Sequence, residues 1–352
     1  MSKVRILNEG TIKELLDIKN VIEIVKQVYT LKNSNQADLF PIITHIFEPG
    51  KADMDIKAGH LKGEANVFGL KLVSWFGENI KKDLPDVIGT IMVFDGRTGI
   101  PLGILSAEHI TCMRTGSAGA IGSKYLARND SENLLMVGAG HQAFFQIAAG
   151  LTVLNNIKKI TVYDPINYKF AVDFCNKVKV RLKNEILSKY KDDKIYSEKL
   201  AKKFDITFVA TDDIEKSTEQ ADIIVTATPS RKPLIKSEWV RKGTHFSCIG
   251  SDMEGKQEID ENIFSMARVF VDDINQAANV GETEMPIKKC IITKENIIGE
   301  IGEVILDKVP GRVSKDDITI FDSTGIAHQD LLTANYLVKI AQEKDLGTIV
   351  EL

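Results

Sequence analysis

The sequence has no run of 18 consecutive apolar residues, so it predicts no transmembrane helix. Its N-terminus becomes charged too early for the apolar core of a secretory signal peptide. The four cysteines, Cys112, Cys175, Cys248 and Cys290, lie far apart and form no C-x-x-C pair. Such spacing is typical of reduced thiols, so we expect a cytoplasmic protein with neither a disulfide framework nor a zinc site.

The chain also lacks a strong net charge. Lys and Arg number 45 against 49 Asp and Glu, which gives a formal charge of −4. This balance provides no electrostatic footprint for nucleic acid or for an anionic membrane, so neither is expected as a partner. The composition, 43% hydrophobic and 27% charged, is that of a globular protein, and 352 residues suggest two domains.

Some familiar catalytic motifs are missing as well. The sequence contains no G-x-S-x-G elbow and no G-x-x-x-x-G-K-[ST] loop. Four of its histidines form no metal-spaced set: His45, His60, His109 and His245. We therefore predict no metal centre.

The first third of the chain has the pattern of an antiparallel sheet. Apolar residues at helical spacing predict an amphipathic helix over 19–32. Strands are predicted at 66–75, 88–95 and 100–105, the last two separated by a turn, and this spacing indicates a meander. Residues 106–127 are rich in Ala, Gly, Ser and Thr, which favours a closely packed connecting helix.

From about residue 132 the chain alternates strand and helix patterns. Helices are predicted over 141–155 and over a long charged stretch at 167–203. The predicted strands are 134–137, 159–163, 206–210, 222–227, 245–249 and 269–271. Alternation of this kind implies parallel strands with right-handed crossovers, an α/β fold. A final helix is predicted over 330–344, and its pattern does not say which domain it joins.

The strongest local signal is LLMVGAGHQAFFQ at 134–146, which fits G-x-G-x-x-A after a short strand. Gly138 allows the tight turn, Gly140 lets a pyrophosphate approach the backbone, and Ala143 lets the helix pack closely against the strand. The N–H groups at the helix start would then meet the anion. The alternative is a glycine turn that binds nothing.

An acidic residue follows the loop at the expected distance. Asp164 lies 21 residues after Ala143, at the end of the next predicted strand. A carboxylate there can accept hydrogen bonds from the adenosine ribose and would repel a 2′-phosphate, so we predict NAD rather than NADP. The alternative for Asp164 is a strand-end turn residue, which the following Pro165 favours.

Taken together, seven segments resemble the ornithine cyclodeaminase/μ-crystallin family across nearly the whole chain and in the family's order. They are GLKLVSW at 69–75, MRTGSAGA at 113–120, VGAGHQA at 137–143, VTATPS at 225–230, IGSDMEGKQEID at 249–260, GEIGEVILDKVPGR at 299–312 and FDSTGIAHQD at 321–330. Members include ornithine cyclodeaminases, alanine dehydrogenases, imine and ketimine reductases, and thyroid-hormone-binding μ-crystallins.

The resemblance implies a homodimer of two-domain subunits. A Rossmann domain with a doubly wound parallel sheet would span 126–321. A second α+β domain, for substrate binding and dimerisation, would combine 1–125 with 322–352.

The resemblance also implies roles for individual residues. Lys71 matches the active-site lysine, Arg114 the arginine that holds the substrate carboxylate, and Thr90 a threonine near the substrate. Asp252 matches the catalytic aspartate, and Asp55 aligns with an acid that faces the substrate amine. The implied cofactor-binding residues are Gly138, Ala139, Gly140, His141, Gln142, Asp164, Thr115 and Thr228. His328 either approaches the nicotinamide or packs.

One departure concerns the substrate pocket. Ornithine cyclodeaminase has a second carboxylate-binding arginine before the lysine strand, but this chain has no arginine between Arg5 and Arg97. The aligned region at 41–57 offers His45 or Lys57 instead. The pocket is therefore not a copy of the ornithine pocket.

The residue types agree with chemistry on an amino acid. An arginine fork such as Arg114 recognises a carboxylate at two points, and Lys71, within an apolar strand, needs an anion if it is buried. Asp252 follows a predicted strand at its carboxyl end and could move protons to or from a substrate nitrogen. Alternatively, Arg114 is a surface arginine on a helix, Lys71 lies on the exposed face of its strand, and Asp252 is a turn residue.

These observations predict an NAD(H)-dependent enzyme acting at the Cα–N bond of a small L-amino or imino acid. A dehydrogenase or imine reductase would end with changed cofactor, whereas a cyclodeaminase would return the hydride after ring closure and loss of ammonia. A third possibility is a non-catalytic, dinucleotide-dependent ligand-binding protein of μ-crystallin type. The combination of Lys71, Arg114 and Asp252 argues against it, because a pure binder needs no proton-transfer group.

Overall fold

The computed structural model describes residues 3–352. Contacts divide the chain into two compact units, Met1–Arg114 with Ile326–Leu352, and Thr115–Gly325. We call them the N-unit and the central unit. The domain boundaries drawn from the sequence, after 125 and after 321, stay a prediction.

The helices and strands follow one another along the chain. The first half contains β1 (Lys3–Leu7), α1 (Glu9–Leu15), α2 (Ile18–Lys32), β2 (Ala37–Leu39), β3 (Ile43–Glu48), β4 (Ala52–Leu61), β5 (Val67–Phe76), β6 (Val87–Asp95), β7 (Pro101–Ser106), α3 (Glu108–Leu126), β8 (Asn133–Val137), α4 (His141–Val153), β9 (Lys159–Tyr163) and α5 (Tyr168–Arg181). The second half contains α6 (Lys194–Phe204), β10 (Thr207–Thr211), α7 (Ile214–Gln220), β11 (Ile223–Thr226), β12 (Arg231–Ile235), β13 (His245–Cys248), β14 (Gln257–Ile259), α8 (Ile263–Met266), β15 (Ala267–Val271), α9 (Ile274–Val280), α10 (Glu284–Lys288), β16 (Ile297–Glu300), α11 (Ile301–Ile305), β17 (Ile318–Asp322), α12 (Ala327–Glu343) and β18 (Thr348–Glu351).

The N-unit is built on one sheet in the order β18-β1-β7-β6-β5-β4-β2, with β3 also pairing with β4. Strands β4 to β7 are antiparallel neighbours, which confirms the predicted meander. The C-terminal helix α12 packs against this sheet and against α2. The fold thereby assigns the tail to the N-unit, which the tail's own pattern could not do.

The central unit is built on a parallel sheet in the order β10-β9-β8-β11-β13-β17-β15-β16. Its middle strands β11, β13 and β17 are buried along their whole length, as expected for a sheet with helices on both faces. Strands β12 and β14 form a separate parallel pair. The predicted α/β class is confirmed.

The sequence missed some elements and merged others. Strands β2, β3 and β4 were not predicted, although residues 52–58 (ADMDIKA) alternate between apolar and polar side chains, which is the pattern of a strand. The stretch 167–203 is not one helix: α5 ends at Arg181, a π-helical turn and a 3₁₀ turn follow, and α6 starts at Lys194. Asp193 caps α6 by accepting from the Tyr196 N–H, which gives the second helix its own start.

Among residues 3–352, no helix combines the length and apolar character that a membrane crossing requires.

Candidate active site

The glycine loop between β8 and α4 has the backbone that the motif requires. Gly138 has φ +104°, and a Cβ on it would lie 2.7 Å from the Ala227 carbonyl oxygen. Gly140 is the N-cap of α4, and a Cβ added there would meet nothing within 4 Å. The loop therefore leaves open space at the N-terminus of α4, which fits a pyrophosphate.

Asp164 orients this loop. Its Oδ2 accepts a hydrogen bond from the Ala139 N–H at 3.0 Å, and its Oδ1 accepts from the Ile166 and Asn167 N–H groups at 3.0 and 3.2 Å. The turn role considered from the sequence is thus present. A carboxylate offers about four lone-pair sites, so acceptor capacity remains for a ribose hydroxyl.

A cavity of about 490 Å³ lies beside the loop. Its lining includes Gly138, Ala139, Gly140, Asp164 and Thr228, all predicted from the sequence to bind the cofactor, together with side chains of α5 such as Lys177 and Arg181. These residues fit a dinucleotide, with the glycines at the phosphates and Asp164 at the ribose.

The other predicted cofactor residues lie near the first turns of α4. His141 is exposed at the helix start, with its ring centroid 5.4 Å from that of Phe145, and Gln142 follows it. The Thr115 carbonyl accepts a hydrogen bond from the Gln146 side chain at 3.0 Å, which ties α3 to α4. Their roles in cofactor binding stay predictions.

Replacing Asp164 by serine is expected to reduce the preference for NADH over NADPH by about tenfold, or roughly 1.4 kcal/mol of differential binding. Serine removes the charge that repels a 2′-phosphate but keeps a small hydrogen-bonding group. Calorimetric titration of both cofactors measures the change. Asp205→Ser, an exposed acid paired with Lys179, is the control and should leave the preference unchanged.

A cluster of buried charges lies in the N-unit, beneath the start of α12. The Lys71 Nζ lies 2.9 Å from Asp330 Oδ2, and the Arg114 Nε donates to Asp330 Oδ1 at 3.2 Å. Arg114 Nη1 also donates to Gln329 Oε1 at 3.1 Å. The side chains of Lys71 and Asp330 are 2% and 0% exposed.

Lys57 belongs to the same face of the sheet. It lies directly opposite Lys71 in the β4–β5 pair and is buried. Three cations, Lys57, Lys71 and Arg114, therefore influence one carboxylate, Asp330. Such a concentration of cationic side chains suits an anionic ligand.

Burial and charge shift the pKa values of this cluster. Burial, followed by the neighbouring Arg114 charge, lowers the pKa of Lys71 to about 7. Burial alone would raise the pKa of Asp330, but Arg114 and Lys71 outweigh it and hold that pKa below its ordinary value. Lys71 can therefore gain or lose a proton near neutral pH while Asp330 stays ionised.

The sheet register separates two predicted substrate residues. Asp55 lies opposite Val73, so its side chain is on the Lys71 face, where it accepts a hydrogen bond from Thr44 Oγ1 at 2.5 Å. Thr90 lies opposite Leu72 and is exposed on the other face of the sheet. The structure thus groups Asp55 with the lysine face and does not bring Thr90 to it.

The register also distinguishes the two candidates for the missing arginine. His45 is exposed on the edge strand β3, whereas Lys57 is buried beside Lys71. Position and charge both favour Lys57 over His45 as the residue that takes the place of the second arginine.

Asp252 lies in the central unit, in the loop that follows β13. Its side chain is 48% exposed and pairs with Lys256 at 2.6 Å. The position at the carboxyl end of a parallel strand is where α/β sheets bind ligands. The exposed carboxylate is accessible to exchange protons with a bound molecule.

Sequence reasoning missed Asp330 and assigned His328 two alternatives. Asp330 ends the quoted segment FDSTGIAHQD, so its position in a family motif was the available signal. His328 packs: it is buried, its Nε2 lies 3.0 Å from the Asp38 carbonyl oxygen, and burial lowers its pKa to about 4.

No group of His, Cys, Asp or Glu among residues 3–352 has the arrangement of a metal site.

Comparison with known proteins identifies the family. The model of the ornithine cyclodeaminase/mu-crystallin family matches residues 3–186 and 169–345, so the chain belongs to this family and the predicted resemblance is confirmed. The chain is 35% identical to the alanine dehydrogenase of Archaeoglobus fulgidus over 352 residues, with 98% of each chain covered.

Two solved structures have the same fold over nearly their whole length. An archaeal alanine dehydrogenase dimer with bound NAD matches with a TM-score of 0.88 and 33% identity, covering 99% of each chain. The Thermococcus litoralis Δ¹-pyrroline-2-carboxylate reductase, in complex with NADH and L-proline, matches with a TM-score of 0.85 and 30% identity, covering 98% of this chain and 99% of the other.

Proposed function

We propose that this protein is an NAD(H)-dependent oxidoreductase that acts at the Cα–N bond of a small L-amino or imino acid. The observation that carries the proposal is the buried cluster of Lys71, Arg114 and Lys57, which suits a carboxylate. The glycine loop with Asp164 supports NAD(H) as the cofactor, and the named relatives carry out this class of reaction.

In the oxidative direction an L-amino acid, NAD⁺ and water give a 2-oxo acid, ammonium, NADH and a proton. In the reductive direction an imino acid, NADH and a proton give the amino acid and NAD⁺. When bound, NAD(H) accepts or supplies the hydride at Cα. Arg114 and Lys71 hold the substrate carboxylate and fix the position of Cα.

Asp252 handles the proton in this proposal. As a base it takes a proton from the substrate ammonium, because only a neutral amine can expel a hydride. In reverse it protonates the product amine. Its carboxylate forms an ion pair with Lys256 Nζ at 2.6 Å and is 48% exposed, so a bound substrate amine can reach it.

The test combines absorbance at the NADH band with product mass. The purified protein is incubated with NAD⁺ and a panel of amino acids, and in reverse with NADH and 2-oxo or cyclic imino acids. Net production or consumption of NADH with matching product is expected. Turnover of ornithine with catalytic NAD⁺ to proline and ammonia, without NADH accumulation, would identify a cyclodeaminase instead. Cofactor binding without turnover on any substrate would favour a binding protein.

We also propose that the protein is a homodimer through the outer face of the N-unit sheet, opposite the Lys71 face. Ile43, Leu72, Phe76 and Ile88 are large apolar residues of this sheet that are 57%, 36%, 37% and 48% exposed. Ile43 and Leu72 both lie opposite Ile56, so they share one face, and Ile88 lies opposite Ser74 on that same face. A contiguous apolar surface of this kind is typical of an interface between subunits, and the archaeal relative is a dimer.

Ile88→Asp is expected to convert the dimer into a monomer, because burying an unpaired carboxylate at an interface costs several kcal/mol. Sedimentation velocity measures the change. Val180→Asp, which alters an apolar residue on α5 that is 60% exposed against 48% for Ile88, should sediment like the parent. A dimeric Ile88→Asp protein would place the interface elsewhere.

The state of the four cysteines bears on the cellular compartment of the protein. Each of the four cysteines is a thiol and not half of a disulfide, which agrees with a reducing compartment, so we propose the cytoplasm.

A further inference from the structure

Two loops of the central unit meet at a single buried carboxylate. One loop follows β11 and carries Thr228, which lines the cofactor cavity. The other follows β13 and carries Asp252. Glu258, on β14, lies between them and is 0% exposed.

Glu258 uses both of its oxygens to join the loops. Its Oε1 accepts hydrogen bonds from the Thr228 N–H at 2.6 Å and from the Thr228 hydroxyl at 2.8 Å. Its Oε2 accepts from the Thr226 hydroxyl at 2.7 Å and from the Gly250 N–H at 2.9 Å. Gly250 precedes Asp252 by two residues, so one carboxylate reaches both the cofactor wall and the Asp252 loop.

Direct backbone packing provides a second, independent contact between the same loops. A Cβ on Gly250 would lie 2.3 Å from the Thr228 carbonyl oxygen and 2.6 Å from the Glu258 carboxyl group. Glycine is therefore needed here for the two loops to approach this closely.

Other buried carboxylates hold the rest of the Asp252 loop. Glu282 Oε2 accepts from the Ser251 hydroxyl at 2.5 Å, and its Oε1 accepts from the Glu258 and Ile259 N–H groups. Glu284 Oε2 accepts from the Gly255 N–H at 2.8 Å. The loop is thus anchored on both sides of Asp252, while the Asp252 side chain itself stays half-exposed.

Burying carboxylates in this way is unfavourable unless the donors around them are complete. Burial raises the pKa values of both Glu258 and Glu282. The four donors directed at Glu258 oppose this shift by stabilising its anion, although burial has the larger effect. An apolar side chain could fill the same space, but it could not fix two loops at four hydrogen bonds.

We propose that Glu258 is a positioning residue that sets Asp252 relative to the cofactor-binding loop. Its side chain is fully buried, so it acts through Thr228 on one side and Gly250 on the other. This inference rests on the proposed function, in which Asp252 transfers the proton and Thr228 borders the cofactor.

The test is a double-mutant cycle between Glu258→Gln and Asp252→Asn. Glutamine has nearly the same shape, but its amide nitrogen is a donor and must face a donor of Thr228 or Gly250. We expect Glu258→Gln alone to lower kcat by about 10- to 100-fold, because small misplacements of catalytic groups have effects of this size. In the Asp252→Asn background we expect less than about a threefold further loss, because groups that act as a unit are not additive.

Two further variants separate positioning from general stability. Gly250→Ala forces the same loops apart by another route and should show the kinetics of Glu258→Gln. Asp222→Asn removes a buried carboxylate at the opposite end of β11, where it accepts from the Glu132 and Asn133 N–H groups. This control should lower the melting temperature and leave kcat unchanged.

Hydrogen exchange supplies a readout that needs no turnover. In Glu258→Gln the amides of 226–230 and of 250–256 should exchange faster together, whereas Asp222→Asn should change neither segment. Additive kinetics in the cycle, or exchange in both segments equal to that of the parent, would overturn the positioning role. If the parent shows no turnover, the proposed function fails instead, and if Asp252→Asn is fully active, the proton transfer belongs to another group. In either case the exchange experiment still decides whether Glu258 joins the two loops.

Discussion

Asp252→Asn is expected to lower kcat by roughly 10²–10⁴-fold while NADH binds nearly as tightly as to the parent. Asparagine keeps the size of the side chain but cannot take or give the proton, and general acid–base groups contribute about this factor. Stopped-flow or steady-state rates, together with fluorescence titration of NADH, measure the two quantities separately. The side chain is half-exposed, so its replacement should leave the free energy of unfolding almost unchanged.

Glu254→Gln is the matched control, since it neutralises another exposed acid of the same loop, paired with Lys288 at 2.7 Å. Its kinetics should equal those of the parent. An Asp252→Asn enzyme with parental kcat would assign the proton transfer to another group, and Lys71, with its pKa near 7, would be the next candidate.

Lys71→Ala is expected to lower kcat/KM. The expected loss of transition-state stabilisation is roughly 2–5 kcal/mol, the usual cost of losing a buried contact with a charged ligand. Cofactor binding should survive, because the glycine loop and Asp164 belong to the central unit. Arg114→Ala should have a similar kinetic effect. Both variants should also destabilise the protein by about 3–5 kcal/mol, because each removes a buried partner of the Asp330 carboxylate.

Lys62→Ala is the control, because Lys62 directly follows strand β4 of the same sheet. Its ion pair with Asp38 is exposed at the surface, so its removal should change neither kcat/KM nor stability appreciably. Kinetics of Lys71→Ala that match this control would show that the substrate carboxylate binds elsewhere.

The lowered pKa of Lys71 gives the same prediction a pH dependence. Below about pH 7 the ammonium is charged and attracts the substrate carboxylate; above it the neutral amine does not. Affinity for a non-reacting carboxylate analogue should therefore fall as pH rises through about 7 in the NAD-bound enzyme. Lys71→Arg, with a charge that does not titrate in this range, should flatten the profile if the longer side chain is accommodated.

The glycine loop shows how far local sequence can go. A strand, a G-x-G-x-x-A turn and a helix are contiguous, so their geometry follows from short-range rules about glycine and helix starts. The acid at the end of the next strand follows from the same repeat of strand and helix. The backbone at Gly138 and Gly140 and the position of Asp164 at the end of β9 therefore follow from local rules, without help from distant contacts.

The substrate cluster is different, because its members come from separate parts of the chain. Lys71 alone predicted a need for an anion, and its own partner in the structure is Asp330, which is far away in sequence and arrives on the helix α12. The pattern of that helix did not indicate which domain it joins. Only the packing of α12 on the meander brings the carboxylate to the lysine.

The register of the N-unit sheet determines which other side chains lie on the Lys71 face. Thr90 and Lys71 are on neighbouring strands, but side chains alternate between faces, and the pairing of Leu72 with Thr90 places the threonine on the outer face. The same alternation places Lys57 beside Lys71, although β4 was not predicted. By itself the sequence determined the α/β class, the dinucleotide loop and the family, because these depend on local pattern and motif order. Tertiary structure alone decided which charges share a buried face, because that depends on long-range strand pairing and on the docking of a distant helix.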